Sequence, residues 1–248
     1  MDKIDSDLIT YSNYKITSAN TDMFARAKLS FMLDLMIQGA IHSADSLGFG
    51  YNDLEEQQLF WVLNRITVEI YRPLMWKETV EVETWPKDVH KILYLRDLIV
   101  RDESNKIVAK ATSAWLAIDF VTKRPGRVEG ILRDRLIKMR NRHALEAIPE
   151  KITPISDGEE SKHQVSYFDI DLNKHLTSTR YLDWMMDSIP IDFHENNYPK
   201  EFSINFLKET LPGDHLNVLM SYNGDGDYLF TGKNLNKDEI AVLGRIGF

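Results

Sequence analysis

A short polar segment, YFDIDLNKH over residues 167–175, carries the densest set of reactive side chains in the sequence. Asp171, Asn173 and His175 occupy alternate positions in it. In an extended segment, side chains two residues apart project to the same side, so a carboxylate, an amide and an imidazole are expected to converge. These groups are suited to activating a water molecule against a carbonyl carbon. Taken alone, the same residues are also typical of an ordinary turn with a loop histidine.

A second carboxylate, Glu209, lies near the end of the predicted strand 201–210 and extends this set. A helix is predicted directly after the polar segment, and the free N–H groups of its first turn favour developing negative charge. Either Glu209 or Asp171 could act as general base on a water molecule, or attack the carbonyl directly through an anhydride. Asn173 and the helix start would polarise the carbonyl, while His175 would orient the base or protonate the leaving group. The sequence leaves the choice of carboxylate open.

The composition argues against several other kinds of chemistry. The chain has 248 residues and no cysteine, which removes thiol catalysis, disulfides and thiolate metal sites. Its histidines show no metal-binding spacing, so we expect no metal and no cofactor. Lys and Arg total 30 against 38 Asp and Glu, a net charge of −8, which argues against nucleic-acid binding. The chain has neither an apolar run of membrane-helix length nor a signal-peptide pattern at its start, so we expect a cytoplasmic protein with no membrane insertion.

Hydrophobic periodicity predicts the same order of elements twice along the chain. The first series is a strand near residues 8–16, a helix over 29–47 and strands over 60–71, 79–85, 92–101 and 107–120. The second series is a strand over 163–168, a helix over 178–188 and strands over 201–210, 215–223, 227–235 and 239–248. A gapless overlay of Glu78 on Asp214 aligns apolar positions of two strands and sets Pro73 opposite Glu209. We infer a duplicated α+β unit in which only the second half carries the reactive set.

A change of composition separates the two series. Residues 121–143 are rich in lysine and arginine, and residues 144–162 turn acidic and polar, with two prolines. Such a change is typical of a connecting segment between domains. We therefore predict an N-terminal domain over residues 1–125, a connector over residues 126–160 and a C-terminal domain over residues 161–248.

Two runs, FDIDLNKHLTSTRYLDWMMDSIP and FSINFLKET, resemble segments of the acyl-acyl-carrier-protein (acyl-ACP) thioesterases of plant plastids and bacteria. Their order and spacing, together with first-half segments such as ATSAWLAID, extend the resemblance over nearly the whole chain. It implies a double hot-dog fold, in which two halves, each a long helix wrapped by an antiparallel sheet, form a pseudo-dimer. It also implies hydrolysis of the thioester that joins a fatty acyl chain to the phosphopantetheine arm of acyl carrier protein, which ends chain elongation in fatty acid biosynthesis. The family's functional positions fall on Asp171, Asn173, His175 and Glu209.

The sequence departs from the family pattern at two places beside these residues. Thr210 stands where a cysteine often follows the glutamate, so a route that needs a thiolate nucleophile cannot apply to this chain. Thr177 and Ser178 replace paired asparagines, which is expected to change how the following helix is capped.

The resemblance also guides our expectations for substrate and partner. Because the first half lacks the reactive set, we expect it to hold the acyl chain beneath its long helix, near Met32, Leu35 and Met36. The carrier protein is acidic, so a basic surface on this acidic chain is expected to dock it. The candidates for docking are Arg133, Arg135, Lys138 and Arg140. These residues could instead only solvate the connector.

Two rival functions fit the same residues. An acyl-CoA thioesterase of hot-dog fold would differ only in the carrier of the acyl chain. A non-catalytic acyl-binding hot-dog protein would not turn over, and the retained acid, amide and imidazole argue against it. A homodimer is compatible with the sequence, and neither the oligomeric state nor the preferred acyl chain can be read from it.

Overall fold

The computed structural model describes residues 8–248, except for the side chains of residues 131 and 132. The first half contains β1 (Thr10–Lys15), α1 (Leu29–Ser46), α2 (Tyr51–Glu55), β2 (Leu59–Ile70), β3 (Thr79–His90), β4 (Leu93–Asp102) and β5 (Ile107–Asp119). A short helix, α3 (Ile131–Leu136), lies in the connector. The second half contains β6 (Glu159–Gln164), α4 (Ser178–Asp187), α5 (Phe193–Asn196), β7 (Glu201–Phe206), β8 (His215–Tyr222), β9 (Asp227–Asn234) and β10 (Glu239–Gly247).

The strands form one antiparallel sheet that repeats the same topology in its two halves. Its ten strands run in the order β1-β3-β4-β5-β2-β7-β10-β9-β8-β6. The halves join where β2 pairs with β7, and Thr67 lies opposite Ser203 at the centre of that pairing. Their hydroxyl oxygens are 2.9 Å apart. The gapless sequence overlay also places Thr67 on Ser203, so this pair marks the pseudo-twofold axis of a double hot-dog fold of class α+β.

The long helix α1 packs across the inner face of this sheet. Leu29, Leu33, Met36 and Ala40 follow a spacing of three or four residues and are all buried, which gives the helix one continuous apolar stripe. Gly48 ends the helical segment with a φ of 74°, a conformation that costs glycine nothing because it has no Cβ. Buried residues of α1, α4, β2 and β7, among them Leu33, Leu182 and Ile204, belong to one core cluster, and Ala44 and Leu59 belong to a second cluster. The two halves therefore share one core.

A buried ion pair fixes the connector to the first half. Lys87 Nζ lies 3.2 Å from Asp97 Oδ2, and both side chains are almost fully buried. The Thr112 hydroxyl donates to Asp97 Oδ1 at 2.5 Å, and the Ala144 N–H donates to Asp97 Oδ2 at 2.6 Å. Lys87 also donates to the Leu145 carbonyl. Burial raises the pKa of Asp97, and these hydrogen bonds and Lys87 oppose that rise.

Three segments differ by several residues from the boundaries predicted from the sequence. The strand expected over 79–85 continues to His90. The strand expected over residues 163–168 lies at Glu159–Gln164, and a 3₁₀ turn, Tyr167–Asp169, follows it. The strand expected over 201–210 ends at Phe206, which leaves Glu209 in a loop. The N–H groups of Leu207 and Lys208 both donate to the Ala241 carbonyl, and this bulge-like pairing lets the chain leave the sheet. The domain limits 1–125, 126–160 and 161–248 stay a prediction, and residues 1–7 lie outside the described residues.

Candidate active site

The polar segment folds as a tight loop, so the expectation of an extended conformation is wrong. The Asp171 N–H donates to the His175 carbonyl at 2.9 Å, and the Lys174 N–H donates to the Asp171 carbonyl at 3.0 Å. Lys174 closes the loop with a φ of 65°. Asp171 Oδ1 accepts the N–H groups of Asn173 at 2.8 Å and of His175 at 3.1 Å. The Asp171 carboxylate thus holds the shape of the loop that presents His175.

The structure brings His175 and Glu209 together. His175 Nε2 lies 3.1 Å from Glu209 Oε2, and the two side chains are 39% and 60% exposed. Their loops are tied by the Leu176 N–H, which donates to the Thr210 carbonyl at 2.8 Å. Because the pair is in contact and open to solvent, a water molecule and a substrate carbonyl can both reach it. A carboxylate held against an imidazole is a suitable proton acceptor for hydrolysis.

The first half contains the same loop without the reactive pair. Asp22 Oδ1 accepts the N–H groups of Phe24 and Arg26, each at 2.9 Å. Ala25 has a φ of 61°, as its counterpart Lys174 has 65°. The loop aspartate is therefore common to both halves, and Arg26 takes the place of His175.

The loop that carries Glu209 also has the same geometry as its counterpart in the first half. The Ala27 N–H donates to the Leu74 carbonyl at 2.7 Å, which corresponds to the bond from Leu176 to Thr210. Pro73 precedes Leu74 as Glu209 precedes Thr210, in agreement with the sequence overlay. The histidine and the glutamate thus occur together only in the second half.

Thr210 supports the site from beneath. Its side chain is fully buried and its hydroxyl accepts the Tyr181 O–H at 2.9 Å. Burial raises the pKa of Tyr181 to about 12, so the phenol stays a donor at neutral pH. The family position that often holds cysteine is therefore occupied here by a structural hydroxyl.

Asn173 and the start of α4 lie on either side of His175 in the chain. Asn173 is exposed, and no hydrogen bond joins its side chain to His175 or Glu209 in the described structure. Thr177 precedes α4 and its side chain makes no cap hydrogen bond, so it does not occupy the free N–H groups of the first turn. Those groups lie within a few residues of His175 in the chain.

An apolar pocket lies beneath the C-terminal half of α1. Its walls include Ala40, Ile41 and Ala44 from the helix and Trp61 and Trp115 from the sheet. Its empty volume is about 440 Å³, part of it open to solvent. The small side chains of Ala40 and Ala44, four residues apart, are the sequence feature that leaves this space.

The residues predicted to line the acyl pocket occupy an earlier part of the same helix. Met32, Leu35 and Met36 are at most 1% exposed and belong to the common core. None of the three is among the residues that line the pocket.

The predicted docking residues fall into two groups. Arg133, Lys138 and Arg140 are exposed on the connector. Arg135 is partly buried, and its Nη1 donates to the Leu47 carbonyl at 2.6 Å, so it ties the connector to the end of α1. Only the first group forms a free basic surface.

Within residues 8–248, no three histidine, aspartate or glutamate side chains are grouped to hold a metal ion. No helix in that range is long and apolar enough to cross a membrane.

Comparison with known families identifies the two halves. The acyl-ACP thioesterase N-terminal domain matches residues 7–136, and the acyl-ACP thioesterase C-terminal domain matches residues 152–246. The chain belongs to the acyl-ACP thioesterase family. The family resemblance inferred from the sequence is confirmed.

Relatives in plants carry the same family name. The chain is 26% identical over 222 residues to the chloroplast oleoyl-acyl carrier protein thioesterase of Coriandrum sativum. The alignment covers 83% of this chain and 60% of that protein. It is 25% identical over 222 residues to the palmitoyl-acyl carrier protein thioesterase of Gossypium hirsutum, covering 84% and 54%. The chain thus spans between about half and three-fifths of the length of these relatives.

Solved structures of the family share the double hot-dog fold. An acyl-ACP thioesterase from Bacteroides thetaiotaomicron has a TM-score of 0.91 at 23% identity and covers 100% of both chains. The 12:0-ACP thioesterase from Umbellularia californica has a TM-score of 0.85 at 20% identity, covering 97% of this chain and 96% of its own. These likenesses establish the fold of this chain.

Proposed function

We propose that this chain hydrolyses the thioester bond of fatty acyl-ACP, releasing a fatty acid and the free thiol of the carrier's phosphopantetheine arm. Membership of the acyl-ACP thioesterase family supports the class of reaction. The contact of 3.1 Å between His175 and Glu209 is the observation that carries the proposal. It occurs in one of two halves that otherwise share their loop geometry, which is expected when one half retains the chemistry.

In this proposal Glu209 acts as the general base. It takes a proton from a water molecule, and the hydroxide adds to the thioester carbonyl carbon. The N–H groups at the start of α4 and the Asn173 amide stabilise the negative charge that develops on the carbonyl oxygen. The carbon–sulfur bond then breaks, and the proton passes from Glu209 through His175 to the departing sulfur. The products are a carboxylic acid and a thiol, so atoms and protons balance.

Asp171 is assigned a positioning role, which two substitutions separate from a chemical one. Asp171→Asn is expected to keep kcat within about tenfold of wild type, because the amide oxygen can still accept the N–H groups of Asn173 and His175. Asp171→Ala is expected to lower kcat by roughly 10²-fold, because the loop loses the bonds that place His175. The measurement is thiol release from acyl-ACP. An equally large loss in both variants would mean that the carboxylate itself takes part in the reaction.

The first half offers the matched control for this experiment. Asp22→Ala removes the same pair of backbone hydrogen bonds from a loop that lacks the histidine and glutamate. Its kcat is expected to stay close to wild type. A loss as large as that of Asp171→Ala would show that the effect is one on folding.

The basic surface formed by Arg133, Lys138 and Arg140 is proposed to dock the acidic carrier. Changing all three to Glu is expected to raise KM for acyl-ACP about tenfold, since exposed pairs contribute roughly 0.2–1 kcal/mol each. Hydrolysis of a small carrier-free acyl thioester should not change, and the effect should weaken at high salt. Equal losses on both substrates would assign the segment to the fold, and unchanged KM would place docking elsewhere.

A matched charge reversal away from this surface controls for net charge. Lys15, Lys91 and Lys106 are exposed in the first half, and changing them to Glu alters the charge of the chain by the same amount. This variant is expected to keep the wild-type KM for acyl-ACP.

One assay separates the proposed function from its two rivals. The same set of acyl chains is presented on acyl carrier protein and on CoA, and free thiol is measured. We expect a higher kcat/KM on the carrier protein. A higher value on CoA would favour an acyl-CoA thioesterase, and no thiol release from either carrier would favour an acyl-binding protein.

A further inference from the structure

The apolar pocket beneath α1 contains a buried positive charge. Arg96 lies on β4 in the wall of this pocket and is 6% exposed. Its Nη1 donates to the hydroxyls of Ser43 at 2.8 Å and of Thr84 at 3.2 Å. No carboxylate lies within salt-bridge distance of it in the part of the chain that the structure describes. Burial lowers the pKa of Arg96 to about 9, so the group stays protonated at neutral pH.

The guanidinium has hydrogen-bond donors to spare. An arginine carries five N–H donors, and within residues 8–248 only those on Nη1 have hydrogen-bond partners. Burying a charge without a counter-ion is costly, and buried donors are normally paired. Because Arg96 borders an open pocket, its unpaired Nε and Nη2 donors are available to a ligand.

The duplicated second half shows that the fold does not require this arginine. In the first half, Arg96 on β4 pairs with Pro86 on β3. The sequence overlay places Pro86 on Tyr222 of β8, and Tyr222 pairs with Tyr228 on β9. Tyr228 is therefore the counterpart of Arg96, and Met220 is the counterpart of Thr84. At these two positions the second half therefore carries no charged side chain. The buried charge is thus a feature of the pocket in the first half.

The pocket wall is linked to the candidate catalytic residues through β2. Trp115 pairs with Leu63 on this strand. The next residue, Asn64, donates from Nδ2 to the Phe206 carbonyl at 3.2 Å, shortly before Glu209 in the chain. β2 therefore joins the pocket wall to the strand that precedes Glu209.

We propose that this pocket selects acyl chains that carry an oxygen, as a hydroxyl or keto group, on their distal carbons, and that Arg96 donates hydrogen bonds to that oxygen. The inference rests on the proposed function for its substrate class. The distal oxygen supplies the acceptor that the buried guanidinium lacks. A plain methyl end leaves the same donors unpaired and removes their remaining access to water, so unsubstituted chains of equal length bind less well.

Binding is measured first, without catalysis. Trp61 and Trp115 line the pocket, so tryptophan fluorescence reports occupancy. The probes are methyl esters of ω-hydroxy, keto and unsubstituted fatty acids of matched length, which carry no free carboxylate to compete for the guanidinium. We expect the oxygenated esters to bind wild type about tenfold or more tightly than the plain ones. Equal affinity in wild type would overturn the proposal, whatever the variants do.

Variants then assign the preference to Arg96. Arg96→Met replaces the guanidinium by an unbranched apolar side chain and is expected to abolish the preference for oxygenated esters, whereas Arg96→Lys should keep part of it. The matched control is Arg101→Met on the same strand, where Arg101 pairs with Glu83 at 3.4 Å outside the pocket. Persistence of the preference in Arg96→Met, or its loss in Arg101→Met, would contradict the assignment.

Kinetics separate this inference from the proposed function. The ratio of kcat/KM for oxygenated over plain acyl-ACP should fall about tenfold or more in Arg96→Met. An oxygen preference in binding without hydrolysis of any thioester would overturn the proposed function and support the pocket assignment. Hydrolysis with no preference for oxygenated chains would overturn the pocket assignment alone.

Discussion

Glu209→Gln should lower kcat for acyl-ACP hydrolysis by roughly 10²–10⁴-fold, the usual contribution of a general base. Glutamine keeps the size of the side chain and its contact with His175, but it cannot accept a proton from water. KM should change little, because the carboxylate is not proposed to bind the acyl chain or the carrier. The measurement is thiol release under saturating substrate.

The control for this variant is a glutamate outside the site. Glu239 lies on β10, and its Oε2 is 3.8 Å from Lys208 Nζ. Glu239→Gln is expected to leave kcat unchanged. If Glu209→Gln retained turnover within a few-fold of wild type, Glu209 would have no part in proton transfer, and Asp171 would become the candidate base.

Asp97→Ala should lower the free energy of unfolding by about 3–5 kcal/mol, because it leaves the Lys87 ammonium buried without its partner. The substitution also removes the acceptor for the Thr112 hydroxyl and the Ala144 N–H, which fix the connector to the first half. The measurement is equilibrium unfolding in urea, read as the change in midpoint at constant slope.

A paired substitution tests whether the loss comes from the unpaired charge. Replacing both members, as Lys87→Met with Asp97→Leu, leaves no buried charge, and such replacements are often neutral. The double variant should therefore be more stable than Asp97→Ala. A loss below about 1 kcal/mol in Asp97→Ala would mean that the pair is worth no more than a surface salt bridge.

The order of elements could be predicted because each strand and helix carries its own periodicity. The stripe through Leu29, Leu33 and Met36 predicts α1, and Gly48 marks its end. The overlay of the two halves could also be read from the sequence, since the strands that meet at Thr67 and Ser203 keep the same alternation. The ends of strands were less predictable. Glu209 lies beyond β7 because the chain leaves the sheet at a bulge beside Leu207. No pattern of residue types in the sequence predicts this bulge.

The shape of the loop over residues 171–175 could not be read from residue spacing. Alternate polar residues predict an extended segment, whereas Lys174 adopts a positive φ and Asp171 accepts two backbone N–H groups. The first half shows the same loop around Asp22 in SANTDMFARAK, a stretch whose position before the helix could be read from the sequence but whose shared loop shape could not. The assignment of Asp171 to loop shape, rather than to proton transfer, therefore required the three-dimensional contacts.

The position of the apolar pocket also depended on packing. The stripe that contains Met32 and Met36 continues to Ala40 and Ala44, and apolar periodicity is the same in both parts. Only the smaller side chains of the second part leave unfilled volume against the sheet. Arg96 alternates with Tyr94 and Leu98 on the inward-facing side of β4. A charged residue at such a core position is unusual, and it was the one sequence feature that could have pointed to this pocket.

The central claim is that His175 and Glu209 act as one unit in thioester hydrolysis. A double-mutant cycle of His175→Ala and Glu209→Gln on kcat/KM for acyl-ACP tests it most directly. Residues that act together are strongly non-additive, so the double variant should be no slower than the slower single variant. Losses that multiply would mean that the two side chains act independently, and turnover like wild type in either single variant would contradict the claim outright.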